Sequence, residues 1–147
     1  MADRIEKGPH IAIRIFDTDI LIHLINRKSG FERIVRRMSG RSPGELRLSA
    51  ITLSELRFGV SNGEFRAENE QALEELLDLF QADDFPCGAA RDFGEIKAAF
   101  PAKGKAIGPY DMLIAAHARH IDATVVTNNE REFRRVPGLA VENWLKP

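Results

Sequence analysis

Ala12-Ile-Arg-Ile-Phe-Asp17-Thr-Asp-Ile20 is the stretch on which the fold turns. Apolar, mostly β-branched residues (Ile11, Ile13, Ile15, Phe16) stop at Asp17. From Thr18 onward Ile20, Leu21, Leu24 and Ile25 recur at helical spacing. The pattern predicts a strand running into a helix, with a carboxylate at the junction. In an open α/β sheet the carboxyl ends of the strands face the ligand crevice, so an acid there is placed for chemistry. Asp is equally a favoured helix cap, and Asp17 taken alone does not separate the two roles.

Reading outward, Gly30 restarts the chain into a short basic helix over 31–39, which Gly40, Pro43 and Gly44 end. Leu46-Arg-Leu48 alternates as a second strand, and Ser49 to Val60 follows as a helix. A helix over 66–80 precedes a third strand at Asp84 to Cys87, weakened by Pro86 and therefore not central. Further helices are expected from Ala89 to Ala102 and, opened by Pro109, to Ile121. Ala123 to Thr127 is the most β-branched run and should be a central strand. A helical turn near Arg131 to Arg135 and a last strand, Leu139 to Val141, close the pattern, with Trp144 anchoring the tail. Strands alternating with helices at these spacings call for a parallel sheet with helices on both faces.

At 147 residues the chain has the size of one domain. We divide it into a flexible N-terminal extension, 1–11, and a domain over 12–147. No apolar run approaches the roughly 20 residues that span a bilayer, and the polar start does not resemble a secretory signal. A cytoplasmic protein without membrane contact is expected. Cys87 is the single cysteine, which excludes an internal disulfide and a Cys-based zinc site. The net charge of −1 averages over two opposed segments. Seven basic residues lie between Arg27 and Arg47 against Glu32 and Glu45; eight acids lie between Glu64 and Asp84 against Arg66. Such a basic patch suits nucleic acid, and two solvated helix faces would look the same.

The strand-end rule makes several acids comparable. Asp17 follows the first strand, Glu55 lies in the helix after the second, and Asp111 is in the first turn of the helix opened by Pro109. Asn128, Asn129, Glu130 and Glu132 follow the last central strand. Each has a local alternative: Thr52-Leu-Ser-Glu55 fits a capping box, and Asp111 suits a helix N-terminus. Thr18 could orient Asp17 or cap the helix. His23 and His117 read as packing or surface residues, and Lys103 and Lys105 as candidate phosphate contacts. Three carboxylates within about 5 Å of one another repel by several kcal/mol unless a proton or a cation intervenes. A hard divalent ion, Mg²⁺ or Mn²⁺, resolves that repulsion and supports phosphodiester hydrolysis.

Four blocks in this order now carry a resemblance: Ile15-Phe-Asp-Thr-Asp-Ile20, Ser54-Glu-Leu-Arg-Phe-Gly59, Ile107-Gly-Pro-Tyr-Asp-Met-Leu-Ile-Ala-Ala-His-Ala118 and Val126-Thr-Asn-Asn-Glu-Arg-Glu-Phe-Arg-Arg-Val-Pro-Gly-Leu139. Together they resemble PIN-domain ribonucleases of the VapC toxin type. The resemblance implies a three-layer α/β/α fold, Mg²⁺- or Mn²⁺-dependent endoribonuclease activity on structured RNA such as tRNA, a homodimer, and inhibition by a cognate VapB-type antitoxin. It also implies that Asp17, Glu55 and Asp111 form an acidic triad, with Asp17 and Asp111 nearest the metal. Two residues depart from the pattern. Asn129 stands where an acid is common, so Glu132, or else Glu130, must supply a fourth carboxylate; Asp19 stands where Asn is usual and adds negative charge. Two other readings stay open. Asp17-Thr-Asp19 also resembles the opening of haloacid-dehalogenase-type phosphatases, and a PIN-like module could bind RNA or a partner without cutting.

Overall fold

The computed structural model describes residues 12–100 and 107–147. The extension assigned to 1–11, with Ile11, and the candidate contacts Lys103 and Lys105 lie outside these residues. Five strands form one sheet: β1 (Arg14–Phe16), β2 (Leu46–Ser49), β3 (Gln81–Asp83), β4 (Thr124–Val126) and β5 (Ala140–Glu142). Their order is β3-β2-β1-β4-β5, and every neighbouring pair is parallel. Parallel neighbours need crossovers that return to the starting edge, and helices supply them. These are α1 (Thr18–Ile25), α2 (Phe31–Met38), α3 (Ala50–Asn62), α4 (Arg66–Leu79), α5 (Ala89–Ala99), α6 (Pro109–His120) and α7 (Glu130–Phe133).

Successive side chains of a strand point to opposite faces, so two adjacent residues build two cores. Ile15 and Val125 pack with Ile96, Ile114 and Phe133 on one face. Phe16 and Val126 pack with Ile20, Leu21, Ile34 and Leu73 on the other. The result is the expected three-layer α/β/α arrangement, with β1 at its centre and β4 beside it. Trp144 does anchor the tail. It is buried edge-on against Phe16, with ring centroids 5.2 Å apart, and its Nε1–H donates to Glu142 Oε1 at 2.9 Å. Trp144→Phe removes that donor and part of the buried volume. It should lower stability by about 1–3 kcal/mol, read as a lower urea midpoint with an unchanged slope.

The third strand lies at 81–83, not 84–87. The apolar Phe85 and Cys87 drew the expectation downstream. The chain instead passes from α4 directly into an edge strand whose Gln81 and Ala82 side chains are exposed and need not be apolar. Pro86 falls beyond the ladder, and an ion pair across it, Arg47 Nη1 to Asp83 Oδ2 at 3.3 Å, ties β3 to β2. Smaller shifts are of the kind helix and strand ends commonly show. The helix begun at Ala89 ends at Ala99, the helical turn starts at Glu130, and the last strand runs 140–142. Among the described residues no helix is long and apolar enough to cross a membrane.

Candidate active site at the carboxyl edge of the sheet

Asp17 occupies the first residue past β1, and its backbone N–H reaches Val126 O on the neighbouring strand at 3.1 Å. Its side chain takes the capping role with one oxygen and is free of it with the other. Oδ1 caps α1 by accepting from the Ile20 N–H at 2.9 Å, and Oδ2 accepts from Thr127 Oγ1 at 2.6 Å. Capping explains one oxygen only. The carboxylate is 1% exposed, and burial pushes its pKa up to about 7; the Thr127 and Ile20 bonds pull it back, while Asp111 and Asp19 add to the rise. Thr127 is a site residue that the sequence reading missed. Its sign was a polar residue ending the apolar run of β4 directly before Asn128-Asn129.

Glu55 is free of the capping box that its sequence fits. The cap of α3 is Ser49, whose Oγ accepts from the Ile51 N–H at 3.1 Å, so Thr52 and Glu55 both lie inside the helix. The Glu55 carboxylate faces α1 instead, where Thr18 Oγ1 donates to it. Thr18 therefore orients Glu55, not Asp17. Asp111 sits in the first turn of α6, where the helix dipole favours a negative charge. Its pKa is nonetheless pushed up to about 6, by burial first and then by Asp19, Glu55 and Glu132. That repulsion ties acids from α1, α3, α6 and α7 into one electrostatic cluster. Of the two candidates on α7, Glu132 belongs to it, held by Asn129 Nδ2 at 3.1 Å. Glu130 pairs with Arg134 and Lys146 instead.

Oxygen-only donors of this kind suit a hard divalent cation, which takes one or two carboxylates directly and completes its shell with water. Among the described residues, however, no three Asp, Glu, His or Cys side chains form a ready metal cage. Three of the four acids are held by hydrogen bonds. Thr18 holds Glu55, Asn129 holds Glu132, and Ile20 and Thr127 occupy Asp17. Asp17, Glu55 and Asp111 are neighbours whose charges repel, not a preformed three-ligand site. His117 and His23 are engaged elsewhere: buried His117 places Nδ1 2.8 Å from Ser49 Oγ, and His23 Nε2 lies 2.8 Å from Ser29 O. Of the basic segment, Arg41 and Arg47 are paired with Glu45 and Asp83.

A family model for the PIN domain matches residues 14–139. The chain belongs to the PIN-domain family. This PIN domain is 35% identical over 130 residues to the tRNA(fMet)-specific endonuclease VapC of Shigella flexneri, covering 88% of this chain and 96% of that one. Among solved structures it superposes on VapBC2 from Rickettsia felis, bound to a promoter DNA fragment, with a TM-score of 0.79 and 32% identity, covering 90% of this chain and 98% of the other. VapBC-1 from nontypeable Haemophilus influenzae gives a TM-score of 0.82 at 28% identity over 91% and 99% of the two chains. The family assignment sets aside the phosphatase reading of Asp17 and Asp19.

Proposed function

We propose that this PIN domain is a metal-dependent endoribonuclease, the toxin of a VapBC-type pair, held inactive by a cognate VapB-type antitoxin. The observation that carries the reading is the convergence of Asp17 from the cap of α1, Glu55 from the second turn of α3, and Asp111 and Glu132 from the first turns of α6 and α7, with burial and repulsion between the acids raising the pKa of Asp17 and Asp111. The Shigella flexneri relative named as a tRNA(fMet)-specific endonuclease supports RNA as substrate, tRNA in particular. The VapBC complexes among the structural neighbours support an antitoxin partner. A homodimer and a cytoplasmic location complete the reading.

Without a cation this cluster would repel an RNA phosphate, so the reading includes Mg²⁺ or Mn²⁺ held by Asp17 and Asp111, with Glu55 beside them. Such an ion, when bound, polarises the phosphoryl group and lowers the pKa of water. The chain's own residues do the positioning. Thr127 and the Ile20 N–H fix the Asp17 carboxylate, and Thr18 fixes Glu55. Asn129 engages Glu132 Oε2, which leaves Oε1 to accept a proton from the attacking water. No protein nucleophile is required.

The test is incubation of the antitoxin-free protein with total RNA and with an initiator tRNA transcript in Mg²⁺ or Mn²⁺, beside EDTA. Discrete fragments that need the metal are expected. A folded protein that yields none in either metal overturns the reading.

A further inference from the structure

Three of the four helices that bring acids to the site also bring exposed apolar side chains. On α1, Ile22 follows Asp19 by three residues; on α3, Phe58 follows Glu55 by three; on α6, Tyr110 adjoins Asp111. Residues three apart on a helix are surface neighbours. Phe58 is 67% exposed and Tyr110 58%, and both line one open cleft of ≈ 700 Å³ together with Ile22, Thr18, Asp19 and Glu55. Two of the three exposed aromatic rings among the described residues therefore stand at the acidic cluster; Phe65 is the third.

We propose that this cleft binds an unpaired nucleobase adjoining the scissile phosphate, stacked on Phe58 and Tyr110 with Ile22 as the third wall. The inference rests on the endoribonuclease reading and adds the form of RNA that the site accepts. The lining contains no Lys or Arg and includes two carboxylates, so a phosphate is unsuited to it and an uncharged flat heterocycle is suited. Gly59 contributes no side chain, and a methyl group built there would meet nothing within 4 Å, so the cleft stays open next to Phe58. A base joined to a phosphate at the acids lies within one nucleotide of these rings. Proteins read single-stranded RNA by splaying bases onto aromatic side chains, and any base presents a π-face. Cleavage then favours loops and other unpaired positions over helical stems.

The test compares wild type with the Phe58→Ala/Tyr110→Ala double variant, whose changes are at exposed positions and should leave the melting temperature unchanged. The first arm titrates protein, at low ionic strength with Ca²⁺ as the hard cation so that the acids do not repel the phosphate, into a short single-stranded RNA carrying 2-aminopurine. Wild type should quench the fluorescence, and the double variant should bind roughly tenfold or more weakly without quenching. The second arm measures kcat/KM on the initiator tRNA transcript, expected to fall by a similar factor while the Mn²⁺-induced rise in melting temperature is kept. Equal binding and equal cleavage by the two proteins overturn the proposal and leave the cleft to a side chain of a protein partner. Absence of quenching by wild type overturns it as well. Quenching by a wild type that cuts no RNA would sink the endoribonuclease reading and leave the nucleobase site standing.

Discussion

Asp17→Asn is expected to cut RNA roughly a thousandfold or more slowly than wild type, and yet to melt at a higher temperature in EDTA at pH 8. Asn keeps the size and the Oδ1 acceptor that caps α1 through the Ile20 N–H. It removes a charge that is 1% exposed and whose pKa is driven from the ordinary 3.8 to about 7. Each unit of such a shift corresponds to about 1.4 kcal/mol, so relief of the buried charge has a ceiling of about 4 kcal/mol. Weakening of the bond from Thr127 offsets part of it, leaving an expected gain of about 1–3 kcal/mol. Asp17→Ala is a poorer probe, because it deletes the cap as well as the charge and costs about 1 kcal/mol or more on that account. Paired measurements of cleavage rate and melting temperature decide the matter. An Asp17→Asn protein that cuts at the wild-type rate removes Asp17 from the chemistry; one that is inactive but less stable than wild type removes the argument from buried charge.

The strand-end rule brings Asp17 to the carboxyl edge, because a parallel sheet sends every strand end the same way, and Asp111 is legible there only through the first turn of the helix that Pro109 opens. What the sequence could not show is which group each acid would touch. Thr18 adjoins Asp17 in the chain but bonds to Glu55, 37 residues away, since α1 and α3 face each other across the site. Thr127 was overlooked for the same reason, its partner Asp17 being 110 residues distant. The capping box around Glu55 is a local pattern that lost to a better local one, Ser49 at the strand end three residues before Thr52. The departure at Asn129 was legible only as a lost charge. In the structure Asn129 holds Glu132, whose charge reaches Asp111 from the next turn. The exposed Phe58 and Tyr110 were visible in the quoted blocks, but a helical pattern does not say that two such rings share one cleft with the acids.

In EDTA the protein should lose stability as the pH rises from 5 to 8, and a divalent cation should restore it at pH 8 far more than at pH 5. The sign follows from the two raised carboxylates. Asp17, pushed up to about 7, and Asp111, pushed up to about 6, hold protons in the folded chain that the unfolded chain has already released above 3.8. Their contribution is therefore fully present below pH 3.8 and is lost as the pH climbs through 6 and 7. The two charges interact and their effects do not simply add, so the combined loss is on the order of a few kcal/mol. The acids whose pKa values are lowered by partners, Glu45, Asp92, Glu130 and Glu142, act in the opposite direction and below pH 5, outside this window. His117, held below its ordinary 6.5 by burial, also acts in the opposite direction and does so within it, so the carboxylate part is read as the difference from Asp17→Asn. A cation competes with those protons for the same oxygens. Its stabilisation, RT ln(1 + [L]/Kd), should thus be large at pH 8, where the carboxylates are ionised, and small at pH 5, where protons occupy them. Melting curves across this pH range, with EDTA or with saturating Mn²⁺, measure both slopes without requiring any RNA to be cut. An EDTA profile whose slope is the same in wild type and Asp17→Asn, or a Mn²⁺ effect equal at the two ends, would mean that Asp17 and Asp111 are not the groups a cation neutralises. The metal would then have to be held elsewhere.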